Sequence, residues 1–360
     1  MKFNLEKNIL NHIPVPHGGI YSTNRKLDPK IIDFSSNVNP LGFPHSIKNI
    51  IKKNTSILSV YPDPNSSELK NNLEKYTGLP KEQIIVGNGA TEIIYNFCKA
   101  FIRKNNRVII PIPTFGEYEA AALLQKGYVS YLKTMNLNEN IPELQHMITK
   151  NNIIFLCNPN NPTGYLVKRK NILKILETAY DKSALVFLDE CFIELVPESN
   201  ESLLLNLKEF DNLFILRSLT KSFGLAGIRI GYGLGNKKMI DVLTRIKIPW
   251  NVNALAQKAA SAALSNKSHL YKTRKLVKDE LTFLTSSISK IKNFSCYPSS
   301  TNFILLESKI NSKTVQKKLI KKKLLVRDCS NFRGLGNKFI RIAVRTHKEN
   351  MKLVKALKEI

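Results

Sequence analysis

The chain has 360 residues, of which 43% are apolar and 23% charged, the balance of a folded globular protein with a sizeable core. Its 55 lysines and arginines exceed its 28 acidic residues by 27, and no apolar run approaches the ~18 residues of a membrane helix. That excess is lysine spread along the whole chain, dense only in "KKLIKKK" at 317–323, and no nucleic-acid motif goes with it, so neither nucleic acid nor membrane is an expected partner.

The opening "MKFNLEKNILNHIPVPHGG" has no sustained apolar stretch and no small-residue cleavage site, so it does not read as a signal peptide and a cytoplasmic location is expected. "IIVG" (84–87) has the length of a strand. The "ATEIIYNFCKAFI" after it puts Ile93, Ile94, Phe97 and Phe101 on one helical face. Four more strand-length apolar runs follow: "RVII" (107–110), "NIIFLC" (152–157), "ALVFLD" (184–189) and "LFILRS" (213–218). Helix-length segments such as 168–180 separate several of them. Such alternation predicts an α/β fold with a mostly parallel sheet covered by helices. From about Asn253 a long helical tract precedes "TNFILLE", "LLVRD" and "KFIRIAVR", which predict a smaller α+β domain closed by the amphipathic helix "KENMKLVKALKEI". Five scattered cysteines (98, 157, 191, 296 and 329) lack CxxC spacing and read as thiols of a reduced compartment, with no disulfide frame and no metal site.

Ligands of open parallel sheets sit beyond the carboxyl ends of the strands. The unusual residues of this chain fall at those ends. "GNGATE" follows the first run, and its Gly87 and Gly89 allow a ligand close to the free amides of a helix starting near Ala90, an arrangement suited to phosphate. Ser218 and Arg229 flank Lys221 and are placed to hold the same phosphate. Asp189, at the end of an apolar strand, needs a cationic partner such as a protonated ring nitrogen. Phe115 offers a flat face, and Lys221 an amine able to form an imine. Together these features describe pyridoxal 5'-phosphate (PLP).

The stretches "SLTKSFGLAGIRIGY" and "NPNNPTG" resemble the lysine signature and the cofactor-binding turn of fold-type I, aspartate-aminotransferase-like PLP enzymes, and the resemblance extends over nearly the whole chain. It implies that Lys221 bonds the cofactor covalently, that Asp189 pairs with the pyridine nitrogen and that Asn161 meets the ring oxygen. Phe115 would stack on the ring. The amides of Gly89, Ala90 and Thr91, the hydroxyls of Thr91 and Ser218, and Arg229 would hold the phosphate. Tyr61, in "YPDP", matches a tyrosine that these enzymes lend to the partner subunit's cofactor phosphate, which implies a homodimer with shared sites. The implied division is an amino-terminal arm with part of the small domain (1–48), a large cofactor-binding domain (49–250) and a small domain (251–360).

Within that superfamily the chain resembles both the histidinol-phosphate aminotransferases and the threonine-phosphate decarboxylases of cobalamin biosynthesis, and four features favour the decarboxylases. "HGGIYS" is similar to their segment over the substrate phosphate, which implies roles for His17, Gly18 and Gly19. Phe192 stands where the aminotransferases usually carry a tyrosine, and Trp250 lies in the decarboxylase-like form of "IPWNVNALA". The three arginines Arg327, Arg341 and Arg345 reproduce the carboxy-terminal pattern. Arg341 and Arg345 are four apart, which in a strand places them on one face, suited to a substrate that carries a carboxylate and a phosphate. Each feature also has a plain reading, as a loop, core packing or a solvated edge; it is their coincidence that favours a phosphorylated amino-acid substrate, threonine phosphate or serine phosphate. The runner-up is the aminotransferase. A PLP-binding regulator would need a DNA-binding module, for which the chain as read leaves no length.

Overall fold

The computed structural model describes residues 5–22, 28, 30–197 and 200–360. In chain order its strands are β1 (Ile32–Asp33), β2 (Ile84–Gly87), β3 (Arg107–Ile112), β4 (Tyr128–Lys133), β5 (Ile153–Cys157), β6 (Leu185–Asp189), β7 (Leu213–Ser218), β8 (Gly231–Leu234), β9 (Phe294–Cys296), β10 (Phe303–Ser308), β11 (Leu324–Leu325), β12 (Arg327–Asp328) and β13 (Phe339–Ala343). The main sheet has the order β2-β8-β7-β6-β5-β3-β4. Its pairs from β7 to β4 are parallel, and β8 alone runs against its neighbours β2 and β7.

Successive side chains of one strand enter different cores. Ile154 and Leu156 of β5 pack into the cluster that holds Val186, Leu188, Leu213 and Ile215, whereas Ile153 and Phe155 pack with Phe187, Phe214 and Leu216. Both faces of the sheet are therefore covered, as the unbroken apolar runs require. Phe155, Phe187 and Phe214 are fully buried, each worth roughly 1.5–3 kcal/mol in transfer from water.

A second, antiparallel sheet has the order β12-β13-β10-β9, and β1 pairs in parallel with β11. Helices Lys267–Ile288, Ser312–Lys321 and His347–Lys358 contribute to its core, in which Phe34 packs with Leu284, Ile304, Ile340 and Leu353. Two differences from the expected elements matter. The run "LLVRD" is not one strand, because β11 pairs with β1 while β12 turns to β13. The strand "KFIRIAVR" ends at Ala343, so Arg345 lies beyond it.

Candidate active site

The carboxyl ends of β2, β7, β6, β5 and β3 lie along one edge of the main sheet. Ala90, Thr91, Ser218, Lys221, Arg229, Asp189, Asn161 and Phe115 all line one cavity there, of about 1370 Å³. At the β2 end the helix Ala90–Phe101 begins directly after Gly89, whose φ is +84°. A Cβ there would meet the Arg229 guanidinium at 2.6 Å, so a glycine lets arginine and helix amides converge. This end of the cavity concentrates amide N–H groups and a positive charge, a cradle for a phosphate.

Asp189 is buried and accepts hydrogen bonds from the Tyr118 hydroxyl at 2.6 Å and the Cys191 amide at 2.8 Å. Burial raises its pKa, and these donors only partly oppose the rise. A carboxylate so placed is completed by a cation, which a protonated ring nitrogen supplies. Lys221 has no hydrogen-bond or ion-pair partner among the described residues, and its Nζ lies 5.6 Å from the centre of the Phe192 ring. Desolvation, followed by the charge of Arg341, lowers its pKa to about 8. An amine with an appreciable neutral fraction near physiological pH is a nucleophile, whereas an ordinary lysine is almost wholly protonated there.

Arg341 is also buried and forms no ion pair among the described residues, the charge of Asp33 reaching it only weakly. Its guanidinium donates to Asn161 Oδ1 and, at 2.8 Å, to the Ser35 carbonyl, while Nε has no partner. Burial lowers its pKa to about 10. A desolvated cation with a spare donor suits a carboxylate. Asn37, which lines the same cavity, is buried with neither side-chain polar atom bonded.

The segment 16–19 lies at the cavity rim. A Cβ on Gly18 would stand 2.5 Å from the Ser35 carbonyl oxygen, so only glycine fits there. The Gly19 amide donates to Ser35 Oγ at 2.8 Å. Arg327 donates to the carbonyls of Pro16 and His17 at 2.6 and 2.9 Å. Much of its hydrogen-bonding capacity is thus spent on the segment itself.

Over residues 29–357 the sequence matches the family "Aminotransferase class I and II". The chain belongs to that family. It is a PLP-dependent enzyme, and the cradle, the buried Asp189 and the unpaired Lys221 fit that cofactor. Similar proteins include the histidinol-phosphate aminotransferase of Methanococcus aeolicus, 37% identical over 94% of this chain and 92% of that one. A protein of Caldanaerobacter subterraneus, named provisionally as a threonine-phosphate decarboxylase, is 40% identical over 90% of this chain and 88% of its own. Two solved structures superpose closely. One is the histidinol-phosphate aminotransferase of Clostridium acetobutylicum (TM-score 0.82, 32% identity, 91% and 98% of the two chains). The other is the L-threonine-O-3-phosphate decarboxylase of Porphyromonas gingivalis (TM-score 0.84, 29% identity, 91% and 99%).

Not every expected residue of this PLP enzyme lies at the cavity. Arg345 does not line it; it donates to the Asp33 carbonyl at 3.1 Å and pairs with Glu349 at 3.0 Å. The strand stops before Arg345, which donates to the same 33–35 segment as Arg341 but is not at the cavity. Gly19 lines a smaller neighbouring pocket. Tyr61 is 78% exposed and packs against Trp250, with ring centres 4.9 Å apart, outside its own chain's cavity. Several residues escaped the sequence reading: Tyr118, Ser35, Asn37 and Glu117. A tyrosine three positions after Phe115, just inside the following helix, was the one available signal for Tyr118.

Proposed function

We propose that this enzyme decarboxylates O-phospho-L-threonine, or its serine homologue, to the amino alcohol O-phosphate. The observation that carries the reading is that two anion-binding features meet on one residue. Ser35 accepts from Arg341 through its carbonyl and from the Gly19 amide through its hydroxyl. A carboxylate on Arg341 and a phosphate at His17–Gly19 would then belong to one small molecule. Phe115, Asp189 and Lys221 would hold PLP, which would supply an electron sink for the bond broken at Cα. Asn161 and Arg341 would hold the carboxylate, with Asn37 completing the polar lining. His17, with Arg327 fastening its segment, would grip the phosphate. Binding energy from these groups, remote from Cα, would set which Cα bond is oriented for cleavage. Decarboxylation would release carbon dioxide and require a proton at Cα, for which the Lys221 amine, which lines the same cavity, is the candidate donor.

A second reading, histidinol-phosphate aminotransfer, is favoured by the 37% identity to the enzyme named so in Methanococcus aeolicus. The product decides between them. Purified holoenzyme should release carbon dioxide from O-phospho-L-threonine. If instead it makes glutamate from histidinol phosphate and 2-oxoglutarate, and no carbon dioxide, the aminotransferase reading replaces the first.

The reading includes a homodimer in which Tyr61 reaches the partner's cofactor phosphate. Its support is an exposed apolar strip, Leu58, Val60, Tyr61, Ile248 and Trp250, a cluster of a kind that marks interfaces.

A further inference from the structure

His17 lines the cavity, but its ring is held from behind. Nε2 lies 2.6 Å from Glu117 Oε1, and the other carboxylate oxygen accepts the Tyr95 hydroxyl at 2.7 Å. Glu117 is 5% exposed, and neither it nor Tyr95 reaches the cavity surface. Burial pushes the Glu117 pKa up, yet the bonds from His17 and Tyr95 outweigh it and hold the carboxyl below its ordinary value. It is therefore an ionised acceptor, to which Nε2–H donates. Nδ1 is left as the one ring nitrogen with no protein partner among the described residues. The Phe115 ring, 5.8 Å from the imidazole, limits the tilt on another side. The helix Glu117–Leu124 begins at this carboxylate, so the anchor sits on a regular element two residues after Phe115, the predicted cofactor-stacking residue.

We propose that Glu117, itself oriented by Tyr95, is a positioning residue that fixes the ring plane of His17, so that when the ring carries both protons Nδ1–H donates to the phosphate ester of the substrate. A buried carboxylate behind an imidazole does this for metal-bound histidines, setting which nitrogen faces the ligand. The inference rests on the phosphate reading of His17 given above, but it does not depend on which reaction follows, because both candidate substrates are phosphate esters.

The test compares kcat/KM for a phosphorylated substrate and its dephosphorylated form, in wild-type holoenzyme and in Glu117→Ala, Glu117→Gln and Tyr95→Phe. Wild type should prefer the phosphorylated form. Glu117→Ala should cut that preference about tenfold, chiefly through KM. Glu117→Gln, which still offers an oxygen to Nε2–H, should recover part of it. In a His17→Ala background, Glu117→Ala should have little further effect, because the two act as a unit. Calorimetric titration of the holoenzymes with inorganic phosphate should show the same order of weakening without turnover. A preference that survives Glu117→Ala, or losses that add to those of His17→Ala, overturn the inference alone. A wild-type enzyme indifferent to the phosphate overturns the phosphate reading, and the inference with it.

Discussion

Lys221 shows how much a single residue takes from its setting. Its pKa falls to about 8 because burial strips water from the ammonium and Arg341 repels it. About half the side chain is then neutral at pH 8, against a few parts per thousand for an unperturbed lysine. The sign is fixed: lowering the pKa enlarges the neutral, nucleophilic fraction at any pH below the ordinary value. Attachment of PLP to the cofactor-free protein should therefore accelerate with a midpoint near pH 8, followed as the rise of the visible absorbance band. Arg341→Met removes the larger of the two charges that lower it and should move that midpoint upward. A wild-type midpoint near pH 10 would contradict the electrostatic account. Lys221→Ala should lose covalent attachment and turnover while keeping its unfolding midpoint, since the side chain makes no hydrogen bond that stability depends on. The lysine, the aspartate and the glycine cradle were legible in the sequence because each breaks a local rule: a charge at the end of an apolar strand, or glycines before a helix. Glu117 and Ser35 were not. Their partners lie 100 residues away for Glu117 and 306 for the carbonyl of Ser35, and no local pattern marks them.

Among elements, the buried strands were read correctly from their unbroken apolar runs, while β4 and β8 were missed for opposite reasons. β4 is an edge strand with largely exposed or half-exposed residues, so its pattern is weak. β8 reads "GYGL", and its glycines look like loop until one sees that a Cβ on Gly233 would stand 2.3 Å from the Phe214 ring. The segment 16–19 makes the corresponding point about a loop. It is built by contacts with distant elements: Arg327 of β12 on its carbonyls, Ser35 beneath its glycines, and Glu117 behind its histidine. Gly18→Ala forces a Cβ to within 2.5 Å of backbone oxygen, which cannot yield as a side chain can. The segment must lift. The expected outcome is a KM for phosphorylated substrate raised by about tenfold or more. The unfolding midpoint should change little, because the segment lies outside the two main cores. An unaltered KM would show that the segment does not touch the substrate.

At the scale of the molecule, the net charge of +27 gives the surface a general positive field, which raises the local concentration of small anions and suits a doubly anionic substrate. The exposed strip around Tyr61 and Trp250 bears on assembly. Five large apolar side chains on neighbouring turns are costly to leave in water, and a two-fold axis through such a patch buries each of them twice. If Tyr61 completes a neighbour's site, two defective chains can repair each other. In a dimer of one Lys221→Ala chain and one Tyr61→Phe chain, both lesions fall in one site, and the other site has an intact lysine and an intact tyrosine. Random mixing gives such dimers half the time, and one of their two sites is whole, so co-refolded chains should show about a quarter of wild-type activity. That figure is to be compared with the mean of the two variants assayed separately. Activity no greater than that mean, or full turnover by a protein that sediments as a monomer at micromolar concentration, would mean that each chain builds its site alone and that Tyr61 has another use.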